Sequence, residues 1–356
     1  MSDGWQTWLS HAAGTTHIEA DLVCLVLVHN EAHLLPDLFA HYRAMGPIHF
    51  LVVDDRSTDT TRALLATQPD VTLFEPVDGS TYAKHKRDWR GSLLDAFAPG
   101  KWCLVIDADE RLVWRGYPQR SLAALISDLE ANGAEALIAA MLDMYADCAI
   151  ADHIARPGPL ITQFPCYDDP RKDVMAYRIA LTPKAFRRKF PMPNTILMGG
   201  MRDRMFAALT GRVGLITRLL QRGALSRPRQ IAANALPIAN LITRLTRPRG
   251  PSPPLNLTKV PLVKWRTSLR YNGGAHHVSA NLKPAGEFGV LLHYAITQGA
   301  DGVAYLANRG QHAAGGGYYR SILDKGTLSN LNPVYSGTSH LTSIADLDPF
   351  FGDPAP

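Results

Sequence analysis

Cysteine is scarce in this chain and is not arranged for chemistry. Cys24, Cys103, Cys148 and Cys166 are the only four, and no two stand in a CxxC spacing. Two of them fall inside apolar runs, so they read as core thiols of a reducing compartment. Long apolar stretches are also missing: no run reaches the roughly 18 residues of a membrane-spanning helix. The opening MSDGWQTWLSHAAGTTHIEAD has neither a basic leader nor an apolar segment of signal-peptide length. Both absences set the expectation of a cytoplasmic protein. Glycine is missing from HNEAHLL, the segment after the first apolar run. A nucleotidyltransferase would be expected to carry a glycine-rich phosphate loop there, and a Rossmann dehydrogenase a GxGxxG.

Acidic residues and lysine are absent from 206–256, where Arg212, Arg218, Arg222, Arg227, Arg229, Arg244, Arg247 and Arg249 alternate with apolar residues. Helical spacing of the two sets predicts one or two basic amphipathic helices, interrupted at Pro228, Pro237 and Pro248. Such helices can lie peripherally on an anionic membrane; the other reading is a helical subdomain whose apolar face packs on the rest of the chain. PRGPSPP at 248–254 is a stiff linker. The formal charge of +5 over 356 residues is therefore uneven, with acids crowded into the first half. Local chemistry outweighs the total, and no nucleic-acid partner is expected.

With 46% hydrophobic residues the chain can bury a large core. LVCLVLV at 22–28 is continuously apolar, as in a strand covered on both faces. A helical pattern at 33–45 stops at Gly46-Pro47, and a second strand at 49–53 completes a βαβ unit. That strand ends in Asp54-Asp55-Arg56-Ser57-Thr58-Asp59, where Ser57 or Thr58 can cap the next helix and Asp59 suits its positive end. Asp54 and Asp55 are placed to hydrogen-bond a nucleoside's base or ribose. A short strand at 71–74 leads to a helix at 82–97 with Lys84, Lys86, Arg87 and Arg90 on it, a face that is either solvated or reaches a phosphate. Next comes KWCLVIDADERLV at 101–113. Asp107 and Asp109, spaced i, i+2 around Ala108 at a strand end, can both face one hard cation bridging a diphosphate. A helix at 121–132 and a strand at 136–141 that again stops in an acid, Asp143, bring several strands to one acidic edge. The alternation predicts an α/β fold with a doubly wound, mostly parallel sheet.

The ordered set HNE (29–31), VVDDRSTDTT (52–61), WCLVIDADE (102–110), MLDMY (141–145), GGxRxRxF (199–206), LTKVPLVKW (257–265) and LLHY (291–294) resembles bacterial glycosyltransferases of the family 2 type, which have the GT-A fold. The resemblance spans most of the chain and breaks in the arginine-rich stretch. It implies that Asn30, Glu31 and Asp55 line a nucleotide pocket, and that Asp107 and Asp109 hold Mn²⁺ or Mg²⁺ on a nucleoside diphosphate sugar of the UDP or GDP type. It further implies that a late histidine, His293 or His277, closes the metal shell. Inverting relatives place a base near Asp203, with Asp143, Asp168, Asp169 and Glu287 as competitors. The acceptor would be a glycan or lipid-linked hydroxyl.

Glycosyl transfer also needs the leaving diphosphate stabilised, which positioned arginines support; Arg202 and Arg204 follow the Gly199-Gly200 pair and Arg87 lies on the basic helix. The expected division is an N-terminal extension (1–20), a nucleotide-sugar-binding core (21–205), the arginine-rich helical insertion with its linker (206–255), a second part of the core (256–300) and a tail (301–356). In the tail, Tyr318, Tyr319 and Arg320 read as a lid or as packed chain. A magnesium-dependent nucleotidyltransferase and a non-catalytic nucleotide-sugar-binding protein are the alternatives.

Overall fold

A computed structural model describes residues 4–174, 176–206, 255–310, 319–320, 323 and 328–352. The arginine-rich insertion, apart from its two ends, lies outside the described residues, as does Tyr318 of the tail.

Among the described residues, nine strands form one sheet in the order β1-β4-β3-β2-β5-β11-β7-β12-β6. Their ranges are β1 Leu9–Ala13, β2 Leu22–Val28, β3 His49–Asp54, β4 Val71–Pro76, β5 Trp102–Asp107, β6 Glu110–Val113, β7 Ala136–Asp143, β11 Thr258–Lys264 and β12 Gly289–His293. The four consecutive neighbours β4-β3-β2-β5 are parallel, as are β7 and β12. β1, β6 and β11 run antiparallel to their partners. The sheet is thus mixed α/β and Rossmann-like, consistent with the GT-A fold. The stretch read as an N-terminal extension contributes the edge strand β1. The 256–300 stretch inserts β11 between β5 and β7 and adds β12.

Alternation along β2 explains the two-sided core. Cys24, Val26 and Val28 pack in one apolar layer with Leu35, Leu38 and Phe39 of helix α1 (Leu35–Arg43). Val23, Leu25 and Leu27 pack in another with Trp89, Leu93 and Leu94 of helix α3 (Tyr82–Phe97). A strand with side chains leaving alternately to two faces reads as continuously apolar when both faces are covered. Helices α2 (Thr61–Ala66) and α4 (Leu122–Ala131) complete the winding, the latter capped by Ser121, whose Oγ accepts the Ala124 N–H at 3.1 Å. Ser57 and Thr58 are not the caps of α2; that position is Thr60, and Asp59 Oδ1 instead accepts the Thr61 N–H at 2.9 Å.

One connection constrains the shape of the sheet. β5 sits in its middle and β6 at its far edge, yet only Ala108 and Asp109 separate them. Four strand spacings in a flat sheet would need about 19 Å, whereas three Cα steps cover at most about 11 Å. The far edge therefore curls back toward the carboxyl end of β5.

Smaller strands β8 (Cys166–Asp168), β9 (Tyr177–Leu181), β10 (Thr195–Gly199) and β13 (Thr338–His340) pair as β9/β10 and β8/β13. Short helices α5 (Leu160–Gln163) and α6 (Lys184–Arg187) lie in the connections, and β10 turns directly into helix α7 (Gly200–Phe206). Gly199 makes that turn at φ 116°, and a Cβ there would collide with the Ala176 carbonyl oxygen. Gly199→Ala is expected to lower the unfolding free energy by about 2 kcal/mol or more. Urea denaturation measures it, and an unchanged midpoint would show that the turn tolerates a side chain.

Candidate active site

Parallel register brings three strand ends level: Leu27 of β2 lies beside Asp107 of β5, and Val28 beside Asp54 of β3. Ligands of open α/β sheets bind outside such carboxyl ends, where strand order reverses. A cleft of about 820 Å³ opens there, and its wall includes Asn30, Glu31, Asp107, Asp109, Arg202 and His293.

The acids of the cleft are met by cations of the protein. Lys259 Nζ, 1% exposed, lies 2.5 Å from Asp107 Oδ2 and 2.6 Å from Glu110 Oε1. Arg90 Nη2 stands 3.6 Å from Asp107 Oδ1. Burial alone would raise the Asp107 pKa, but Lys259 and then Arg90 outweigh it and hold the carboxyl well below its usual range. Glu110 also accepts the backbone N–H of Asp107 at 2.9 Å, yet its complete burial keeps its pKa raised.

His293 faces Glu110 across one strand pair and Asp143 across the other. Its Nδ1 is 2.8 Å from Asp143 Oδ1 and its Nε2 3.2 Å from Asp109 Oδ2. Burial and Arg202 push its pKa down, but the two carboxylates prevail and raise it to about 9. Asp143 is shared with Arg202, whose Nε donates to Oδ1 at 2.9 Å. Asp109, Glu110 and His293 each offer one ligand atom within 4.8 Å of the others. Glu31 faces the same space. Its Oε2 is inaccessible and has no hydrogen-bond partner among the described residues, and burial followed by the charges of Asp109 and Asp107 raises its pKa.

Asn30, at φ 57°, clamps the next strand end: its Oδ1 accepts the Thr58 N–H at 2.7 Å and its backbone N–H donates to Ser57 Oγ at 2.8 Å. Beside it, His29 stacks on Tyr305 with ring centroids 5.9 Å apart. Tyr305 and Arg309 belong to the Gly299–Arg309 helix and enter the cleft wall.

Other expected residues are placed elsewhere. Asp54 is fully buried and accepts the Ser57 N–H and Oγ–H at 3.0 and 2.5 Å, so it shapes the loop. Asp55 pairs with Arg309 at 2.6 Å behind the cleft wall. Arg87 is exposed, because Tyr82, Lys86 and Arg90, four residues apart, form the face of α3 turned to the cleft and Arg87 lies a quarter turn away. Arg204 makes a two-pronged pair with Asp168 at 2.8 and 3.0 Å, and Asp203 pairs with Arg178 at 3.0 Å; neither is in the cleft wall.

Of the two late histidines, His277 packs against Phe186 and lies 3.3 Å from Thr182 Oγ1, its pKa lowered to about 4 by burial. Its neighbour His276 lines the cleft instead. Burial and then Lys259 lower the His276 pKa to about 3, so Nδ1 carries the proton toward the Thr258 carbonyl at 2.7 Å and Nε2 is an acceptor.

Lys259, Glu110, His276, Tyr305 and Arg309 were not singled out from sequence as site residues. A signal existed for Lys259: a lysine inside the apolar LTKVPLV, two residues before a proline that disrupts strand pairing.

Because the folded pKa of His293 lies above its unfolded value of about 6.5, its ion pairs contribute stability that is full below pH 6.5 and is lost as pH rises through about 9. In EDTA, wild type is expected to lose denaturant resistance between pH 6.5 and 9 more steeply than His293→Gln. Parallel profiles would show that the histidine is not charged in the folded protein.

No protein-family model matches the chain, and no curated protein matches it. Among solved structures, the crystal structure of S. aureus TarS is similar over 37% of this chain and 25% of that one, at 16% identity and a TM-score of 0.28. The chain thus spans about a quarter of the length of that protein, and a likeness of this extent says nothing about activity.

Proposed function

We propose that the chain is a glycosyltransferase that moves a sugar from a nucleoside diphosphate sugar to an acceptor hydroxyl, with inversion. The observation that carries the reading is the meeting, at the carboxyl ends of parallel strands, of Asp107 and Asp109 with Lys86, Lys259, Arg202 and Arg309 in one cleft. Carboxylates alone would suit a cation and cations alone an anion. Together they suit a diphosphate carrying a divalent ion.

The residues fit Mn²⁺ or Mg²⁺. Asp109, Glu110 and His293 converge, and oxygen donors with a single imidazole match hard to borderline cations, His293 serving as a ligand once Nε2 has released the proton it holds toward Asp109 in the free protein. When bound, the ion would act as a Lewis acid on the departing diphosphate. The chain's own groups do the rest of the positioning. Arg202, fixed by Asp143, and Lys86, over the Tyr82 ring at 4.4 Å, direct positive charge at the leaving group. His29 and Tyr305 offer aromatic surface where the nucleoside would lie. A UDP or GDP donor, a glycan or lipid-linked acceptor and contact of the arginine-rich stretch with an anionic membrane belong to the same proposal. No helix among the described residues is long and apolar enough to cross a membrane.

Calorimetric titration of UDP-, GDP-, ADP-, CMP- and dTDP-sugars with and without Mn²⁺, on wild type and Asp109→Ala, tests the reading. One nucleotide is expected to bind, more tightly with Mn²⁺, and the variant to lose the gain from Mn²⁺, about tenfold or more. Weak binding of several nucleotides, indifferent to metal and to mutation, would overturn it.

A further inference from the structure

Lys259 is placed by a break in strand pairing. β11 pairs with β7 through Thr258 and Lys259, loses register, and resumes at Leu262, with Pro261 in the gap. On the other side, pairing with β5 begins only at Leu262. A proline donates no ladder hydrogen bond and bulges re-aim side chains, so the stretch before Pro261 is released from β5 and its lysine lies among the acids of the β5–β6 turn.

The ammonium there is in direct competition with any divalent ion. Glu110, 2.6 Å from Nζ, is one of the three groups that converge as a metal site, and Asp107 is claimed by both Lys259 and Arg90. An ion drawn to these carboxylates meets a like charge already at contact distance, in a buried setting where repulsion is weakly screened. An ammonium carries three N–H groups. One donates to Asp107 Oδ2, Glu110 Oε1 lies 2.6 Å from the ammonium as an ion-pair partner without a hydrogen bond, and Lys259 belongs to the cleft wall, which leaves N–H capacity for an anion.

We propose that Lys259 is the resident cation of the cleft: it neutralises Asp107 and Glu110, suppresses divalent-ion binding by the free protein, and donates to the nucleotide's diphosphate, so that the ion binds after the nucleotide. The proposal deepens the glycosyltransferase reading and rests on it for the identity of the anion. The negative charge brought by the diphosphate is what makes room for a second cation beside the lysine.

The test reads two affinities that move in opposite directions. Mn²⁺ alone is titrated by electron paramagnetic resonance into wild type, Lys259→Met and Lys259→Arg. UDP and GDP are titrated by calorimetry in EDTA, with uridine and guanosine as controls. Lys259→Met is expected to bind Mn²⁺ alone at least about tenfold tighter than wild type and to bind the diphosphate nucleotides about tenfold more weakly, the nucleosides being unaffected. Lys259→Arg keeps the charge and is expected to keep Mn²⁺ binding weak. A lysine with only a structural role would weaken both affinities in Lys259→Met, and that result overturns the proposal, as does unchanged Mn²⁺ binding. Wild type binding Mn²⁺ alone tighter than about 10 µM also overturns it, whether or not the variants fold. If no nucleotide of the donor panel binds wild type with or without Mn²⁺, the glycosyltransferase reading fails, and the Mn²⁺ titrations still decide the role of Lys259.

Discussion

A buried ammonium between two carboxylates holds the centre of this molecule together. Lys259 comes from β11, Asp107 from the end of β5 and Glu110 from the start of β6, so one side chain ties the middle of the sheet to its far edge. Taking Lys259 and Glu110 out of water is costly, and removing the lysine would leave the buried Glu110 without its cation while the partly exposed Asp107 kept Arg90. The Ala108-Asp109 turn makes the contact unavoidable. A chain that passes from the fifth position of the sheet to the ninth in two residues must curl the sheet, and the curl delivers Glu110 to the lysine. Asp109 is left at the apex of the turn, facing the cleft.

The other contacts of the cleft follow from strand register. His293 opposes Glu110 on one side and Asp143 on the other because β12 lies between β6 and β7. The imidazole is thereby held by Asp143 through Nδ1 while Nε2 looks at Asp109, the arrangement in which an outer carboxylate fixes ring orientation. Asp143 in turn anchors Arg202. A chain of alternating charges thus runs from Arg202 through Asp143 and His293 to Asp109, each member paired with the next.

Much of this was legible in the sequence. The continuously apolar β2, the helix at 82–97 and the acids that terminate strands all follow from local patterns, because period and termination are local properties. Asp107 and Asp109 stand out locally because strand ends are where a sheet displays chemistry, whereas His293 was named, with His277, only through the family resemblance; the cleft wall includes Asp107, Asp109 and His293. Glu110 stands in the acidic cluster that the sequence displays, but its pairing with Lys259 was hidden because that depends on curl, a consequence of sheet order that no local pattern encodes. His276 and His277 illustrate the same limit at the scale of one residue: adjacent positions point to different sides, and only the path of the segment decides which ring meets the cleft. The fate of Asp54 was ambiguous for another reason. An aspartate after a strand serves equally well as a ligand or as the acceptor for its own loop, and Ser57 three residues on takes it for the loop.

The GGxRxRxF stretch shows how secondary structure changes the sense of a motif. On an extended strand, Arg202 and Arg204 would leave from the same face and could form a clamp. On helix α7 each residue turns about 100°, so residues two apart leave from nearly opposite sides. Arg202 accordingly meets Asp143 at the cleft, while Arg204 meets Asp168, the Pro333 carbonyl and the Tyr335 ring. Asp203 leaves between them toward Arg178 on β9. The helix therefore works as a three-way fastener, joining the cleft wall to the β9/β10 pair and to the C-terminal chain. Its glycines set the direction of entry, and a helix entered at another angle would carry Arg202 away from Asp143 and break the charge chain that reaches Asp109.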